Sequence, residues 1–332
     1  MLRSLYAGIS GMKVNQTKLD IIANNIANVG TTAFKSSRIR FEDMVSQSMS
    51  AASASSTNEG GINPEQVGLG VKVAGIDTIV SQGMMQPTSR NLDVAVDGEG
   101  YLMVAKGASD VLPVVNSGVT NKITDADGAE ISYTRDGALA LDDAGHLLTS
   151  DGKRVLGYAI GGSILNNNDG TTTVKYVDAN ATNTVADGAN LIPLSIPDTV
   201  DVDGTATRVT TFSIEKDGVI KAVLSNGKVS AIGQIAMASF KNPAGLLKSG
   251  DNEYTSTSNS GDAVVRTGLG AATDVDNSKG YGDMQEGMLE MSNVDLSEQF
   301  TDMIVASRAF QAMGKTITTG DEILQDIIGL KR

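Results

Sequence analysis

The chain has no cysteine and no tryptophan. Without thiols there is no disulfide framework, no thiolate-bound metal and no cysteine nucleophile. Aromatic residues are only 4% of the 332 residues, which argues against a deep aromatic pocket and against the stacking surface of a carbohydrate-binding module. The one histidine, His146, sits in "DDAGHLL" beside a turn, with no nucleophile or metal constellation around it, and is read as structural. No run of about 18 apolar residues exists, so no helix is expected to insert in a membrane. The opening "MLRSLYAGISGMKVNQ" has no continuous apolar segment and no A-x-A site, so no cleaved Sec-type signal is expected. Acidic residues outnumber basic ones 39 to 26, a formal net charge of −13. That balance opposes general binding to nucleic acid or anionic lipid and helps keep a free subunit soluble. A chain with no staples must gain durability elsewhere, for example from assembly.

What is present is organised by period. Near the N-terminus Leu5, Met12, Leu19 and Ile26 recur every seven residues, with Leu2, Ile9, Gln16 and Ala23 as a companion column. This predicts a helix over the first thirty residues, stopped near Gly30. Asn24, Asn25 and Asn28 interrupt its apolar character, as expected of a helix packed in crowded, partly polar company. At the other end Leu289, Leu296, Met303, Phe310, Ile317 and Leu324 also fall seven apart. Ser292 or Asn293 is the expected helix cap, with Asp295 in the first turn and Lys331 and Arg332 in the last. Between these ends the period becomes two. The segments 92–106, 133–158 and 210–240 read as short strands with turns at Asp136-Gly137, Ala144-Gly145, Asp151-Gly152, Asp217-Gly218 and Asn226-Gly227, and "LDVAVDG" is expected to form a hairpin with "EGYLMVAKG".

The predicted fold class is therefore α+β: terminal helices forming an antiparallel, coiled-coil-like pair, and a mainly antiparallel all-β middle. The expected domains are a terminal helical domain (1–30 and 287–332), a flexible connector (31–70, including the Ser/Ala/Gly-rich 46–63), a β-rich core (71–158 and 191–286) and a small polar outer insertion (159–190). Each terminal helix carries an apolar stripe that it cannot bury alone, and one helix pair buries only one seam. The ends are expected to complete their packing on other copies of the chain.

Weaker signals resolve into structure. "DADG" (125–128) and "DVDG" (201–204) hint at calcium, but neither continues to the Glu of an EF-hand loop, so turns are expected. "MGKT" (313–316) lacks the preceding Gly of a phosphate loop and lies in predicted helix. No catalytic residue, cofactor site or metal site is predicted.

Five motifs in order carry a resemblance. "IIANNIANVGTTAFKSS", "NLDVAVDGEGYLMV", "YTRDGALALDDAGHLLTSDGKRVLGY", "IGQIAMASFKNPAGLLKSGDNEYTSTSNSG" and "GMLEMSNVDLSEQFTDMIVASRAFQAMGKTITTGDEILQDIIGLKR" resemble the bacterial flagellar rod and hook proteins. The matched positions include Asn24, Asn25, Asn28, Phe34, Lys35, Asn242, Pro243, Gly245, Ser292 and Asn293. The resemblance implies a non-enzymatic subunit of a helical homopolymer, with terminal helices inside around an export channel and β-domains outside. It implies an extracellular flagellar location, reached through the type III export apparatus without a cleaved signal. Within the family, the ending "DEILQDIIGLKR" and the segments near 108–130 and 159–190 resemble the hook, a curved universal joint. The long connector resembles the distal rod instead; the hook, transmitting motor torque to the filament, is the expected function and the distal rod the alternative. The hook reading implies the hook cap, distal rod and hook–filament junction proteins as partners. A secreted β-rich enzyme or binding module with helical flanks, and an export-linked cap or adaptor, remain as alternatives.

Overall fold

A computed structural model describes residues 2–52, 54, 60–107, 112–117, 120–123, 130–161, 163–166, 172–179, 190–266 and 282–330. Its contacts divide the chain into two units, one of 1–30, 35–79 and 294–332, the other of 31–34 and 80–293.

The first unit holds two long helices, α1 (Leu2–Ala27) and α2 (Leu296–Gly329). They run antiparallel: Lys18 Nζ lies 3.3 Å from Asp302 Oδ1, Asn25 Nδ2 donates to Gln299 Oε1 at 3.1 Å, and Gly8 abuts Thr316 and Ile317. The cap of α2 is Asp295, whose carboxylate accepts from the Ser297 and Glu298 amides at 2.8 and 3.3 Å. Ser292 and Asn293 were the expected caps. They precede the helix because Met288–Glu290 is held in a ladder with Met85–Pro87, so the chain turns helical only after the ladder ends. Leu289 consequently lies on a strand. The segment expected to be a connector contains paired strands: Ser37–Asp43 with Val71–Thr78, and Ser46–Ser50 with Glu65–Gly68.

The second unit is β-structure. One antiparallel path runs through Thr199–Val202, Thr205–Ile214, Val219–Leu224, Val229–Ile235, Arg154–Ala159, Tyr101–Lys106, Glu130–Thr134, Glu253–Thr255 and Leu247–Gly250. The Asp217-Gly218, Asn226-Gly227, Ala144-Gly145 and Asp151-Gly152 turns join paired strands as their sequences predict. Two expected pairings differ. Val94–Asp97 pairs with Asp283–Glu286 rather than with Tyr101–Lys106, and Asp136-Gly137 is not a hairpin tip. A Cβ on Gly137 would stand 1.7 Å from the Val94 carbonyl oxygen, so glycine is there for close backbone approach. The insertion 159–190 enters the fold through Ile164–Asn166 paired with Thr172–Val174, and Ile160, Ile164 and Val174 are buried. "DVDG" is a hairpin turn, with Asp203 and Gly204 at positive φ and Asp201 Oδ1 accepting from the Gly204 amide at 2.8 Å. "DADG", Lys331 and Arg332 lie outside the described residues.

Both faces of the central strands are covered. Leu102, Val104 and Val155 join one apolar cluster, whereas Tyr101, Met103, Leu156 and Tyr158 join another. This accounts for the continuous apolar runs "YLMVA" and "VLGYA", since a strand buried on both sides has no polar alternation to show. The second cluster gathers aromatics edge to face: Tyr101 with Phe240 and Tyr254, and Tyr133 with Phe240, at centroid separations of 5.8, 5.7 and 4.8 Å.

A buried ion pair ties the strand that leads to α2 into this unit. Arg135 Nε and Glu290 Oε2 lie 2.9 Å apart with side chains 3% and 0% exposed. The contact is ionic and not an aligned hydrogen bond. Other groups complete it: Arg135 donates to the Val96 and Gly98 carbonyls at 2.9 and 2.6 Å, and Glu290 Oε1 accepts from the Gly83 amide at 2.8 Å. The same region holds Thr31–Phe34. The Ala33 amide donates to the Glu290 carbonyl at 2.8 Å, Asn252 Nδ2 donates to the Thr32 carbonyl at 3.0 Å, and Lys248 Nζ sits 4.8 Å from the Phe34 ring centre.

Glu290→Ala leaves a guanidinium buried without its counter-charge and should cost about 3–5 kcal/mol. Arg135→Met combined with Glu290→Leu should recover most of that loss. Urea unfolding of the two variants checks both. The aromatic cluster couples stability to alkaline pH. Burial pushes the Tyr101 and Tyr133 hydroxyls up from 10.0 to about 12; at Tyr101 the Arg135 guanidinium opposes the rise and Glu290 and Glu99 add to it, and at Tyr133 Asp262 adds to it. With folded values above unfolded ones, their contribution is complete below pH ~10 and lost as pH climbs toward ~12, roughly 2–3 kcal/mol per ring. Denaturation series across that window should show stability falling, and substituting Phe at both positions should flatten the fall.

Candidate assembly surface

The seam between α1 and α2 differs from the row that the apolar period marks. On α1 the fully buried positions are Gly8, Gly11, Val14, Ile22 and Asn25, whereas Leu5, Met12, Leu19 and Ile26 are half-buried. A Cβ on Gly11 would stand 3.2 Å from Met313 Sδ, and one on Gly320 would stand 2.9 Å from Leu5 Cδ2. The helices therefore meet where side chains are small, and the large apolar residues flank the contact. On α2 only Ala306 is fully buried. Met303, Ile317 and Leu324 are half-buried, and Leu296 and Phe310 are exposed. A second seam column, Gln299, Ala306, Met313 and Gly320, recurs every seven residues. An apolar count misses it because only two of its members are apolar. Its signal is the helical period of small residues and amides.

The three asparagines divide their work. Asn25, 2% exposed, clamps the backbone of Ser37: Nδ2 donates to the Ser37 carbonyl at 2.9 Å and Oδ1 accepts from the Ser37 amide at 3.1 Å. It also reaches Gln299 on α2, so one amide side chain joins both helices and the first strand. Asn28 Nδ2 donates to the Asn24 carbonyl at 2.9 Å, which also accepts from the Asn28 amide at 3.2 Å at the end of α1, and Asn24 itself is exposed. The other motif residues lie apart from this seam. Lys35 is buried and Phe34 half-buried. Asn242, Pro243 and Gly245 form a short 3-10 turn held by Asn242 Nδ2 donating to the Asn259 carbonyl at 3.1 Å and Thr257 Oγ1 donating to the Gly245 carbonyl at 2.6 Å. Asn293 Nδ2 donates to the Ser81 carbonyl at 3.1 Å, and Ser292 is half-buried. His146 is buried, its amide donating to Asp142 Oδ1 at 2.6 Å, in a structural setting.

What the helices leave uncovered is apolar. Phe300, Ile304, Val305, Ile323, Ile327 and Ile328 on α2 are 51, 62, 57, 44, 47 and 69% exposed, Leu330 at its C-cap is 87% exposed, and Tyr6 and Ile9 on α1 are 68 and 52% exposed. Rows of this kind on a long helix mark a surface that another protein surface covers. No described helix is long and apolar enough to cross a membrane.

Comparison with known proteins agrees with the arrangement at both ends. Residues 5–35 match the model described as flagella basal body rod protein, 122–222 the flagellar hook protein FlgE/F/G D1 domain, and 285–330 the flagellar basal body rod FlgEFG protein C-terminal. The flagellar basal-body rod protein FlgG of Bacillus subtilis is 42% identical over 332 residues, covering all of both chains. The flagellar hook protein FlgE of Borreliella burgdorferi is 32% identical over 456 aligned positions, and the rod protein FlgG of the same organism 31% over 335, again covering all of each chain. The chain belongs to the flagellar rod and hook family of structural axial proteins.

Proposed function

We propose that the chain is the distal-rod subunit of this family, polymerising into a straight drive shaft around the export channel. The observation that carries the reading is length. The Bacillus rod protein aligns end to end over 332 residues, whereas the spirochaete hook proteins require 456 and 492 positions to align. The segments near 108–130 and 159–190, which favour a hook when read from sequence, are no longer extra once a rod protein spans them at equal length. The exposed rows of α2 supply contacts between copies, and the glycine seam lets α1 and α2 enter a crowded array as one slender pair. Export through the flagellar type III apparatus without a cleaved signal and contact with hook subunits at one end belong to this reading. The hook is the second reading, supported by the hook relative that covers the whole chain at 32% identity. It would bring the hook cap and the hook–filament junction proteins as neighbours.

Electron microscopy of the polymer that this chain forms in its own basal body decides between them. A straight, rigid segment is expected. A curved tube continuous with the filament junction would give the chain to the hook, and particles unchanged in a strain lacking the chain would remove both readings. The surface itself is tested by Phe300→Glu with Ile304→Glu. Both residues are more than half exposed, so urea stability should stay within about 0.5 kcal/mol of the parent. Polymerisation, followed by sedimentation, should be abolished.

A further inference from the structure

Asn226-Gly227 is the one Asn-Gly dipeptide in the sequence. It forms the tip of the hairpin that joins Val219–Leu224 to Val229–Ile235, and both residues are exposed. Three bonds set the geometry of this tip. The Gly227 amide donates to the Leu224 carbonyl and the Leu224 amide to the Lys228 carbonyl, each at 2.9 Å. The Lys228 amide donates to Asn226 Oδ1, also at 2.9 Å. This last bond curls the Asn226 side chain back over its own peptide and brings its Cγ toward the Gly227 nitrogen. Gly227 has φ of 81°, and a Cβ there would meet nothing within 4 Å, so that nitrogen has no side chain to shield it.

We propose that Asn226 is a site of spontaneous covalent modification, converted from amide to acid through a succinimide in the folded chain. Hydroxide removes the Gly227 amide proton, and the nitrogen attacks Cγ of Asn226. A new C–N bond forms there, and the side-chain nitrogen leaves as ammonia. Water then opens the five-membered ring at either carbonyl, giving aspartate or isoaspartate. Negative charge develops on Oδ1 during the attack, where the Lys228 amide already points, and the reacting atoms are neighbours before reaction begins. The bond that must open first, from Gly227 to Leu224, is at an exposed hairpin tip, where local opening is easiest. Asp136-Gly137 is the contrast. The Ala138 amide donates to Asp136 Oδ1 at 3.2 Å in the same way, but the electrophile there is a carboxylate, and Gly137 is closed in by the Val94 backbone. The product matters to the fold. Isoaspartate routes the chain through Cγ and adds a methylene to the backbone, so the bonds at the tip cannot all be kept. The strands they align carry Ala222, Leu224, Ala231 and Ile232, all buried.

Kept in mildly alkaline buffer at physiological temperature, the full chain should lose the Asn226 amide before that of Asn259, an exposed asparagine followed by serine. Tryptic mapping of the parent reads this directly, since cleavage after Lys221 and Lys228 isolates residues 222–228. Labelling by isoaspartyl methyltransferase should find isoaspartate in that peptide. The thermal midpoint of the parent should drift down as the label appears, while Asn226→Ser, incubated alongside, holds its midpoint. Lys228→Pro removes the donor to Oδ1. It should slow conversion in the folded chain and leave the rate unchanged in urea, where no turn is formed. The proposal is overturned if Asn226 keeps its amide after Asn259 has lost its own, or if folded Lys228→Pro converts as fast as the folded parent.

Discussion

Two antiparallel helices can bury only one seam between them, and α1 and α2 each carry more apolar surface than one seam can take. The rest of the molecule follows from that constraint. The pair meets through Gly8, Gly11 and Gly320, so the backbones approach and the larger residues are displaced to the flanks. A 34-residue helix with one fully buried residue has its hydrogen bonds but little of its hydrophobic stabilisation. The remainder has to come from another protein surface laid against the exposed rows.

Such helices need a defined starting point, and polar groups provide it at both ends. Asn25 holds the end of α1 to Ser37 and to Gln299 in one set of hydrogen bonds. Glu290, five residues before the Asp295 cap, is fixed by Arg135 and by the Gly83 amide. Buried polar contacts of this kind add little net stability, but they penalise every alternative register, because any slip strands a buried amide or charge. An apolar residue in place of Asn25 would let α1 and α2 slide along each other, because its bond to Gln299 joins the two helices.

The fold class, both helices and most of the turns were legible in the sequence because each rests on a local signal: a seven-residue period, a two-residue period, or a Gly after Asp or Asn. The seam was not. The period of Leu5, Met12, Leu19 and Ile26 is real, but it marks half-buried flanks, and the buried positions include glycines and Asn25, to which a hydrophobic count gives no weight. The cap moved from Ser292 or Asn293 to Asp295 for a non-local reason, the ladder with Met85–Pro87. The same holds for Val94–Asp97, which pairs with a strand nearly two hundred residues later instead of its neighbour. The composition of 46–63 hid the strand Ser46–Ser50, whose ladder with Glu65–Gly68 owes little to side chains, since both strands are exposed throughout.

The scarcity of aromatics acquires a meaning once their placement is known. Four of them, Tyr101, Tyr133, Phe240 and Tyr254, are concentrated in one edge-to-face cluster of the β-unit, beside strands buried on both faces. Stability is thus invested where it depends on no neighbour. If those rings were spread along the helices, the monomer would gain sticky surface and the β-unit would lose its independence. The division is unequal: a β-unit with its own buried aromatic core, and helices whose apolar rows are left exposed.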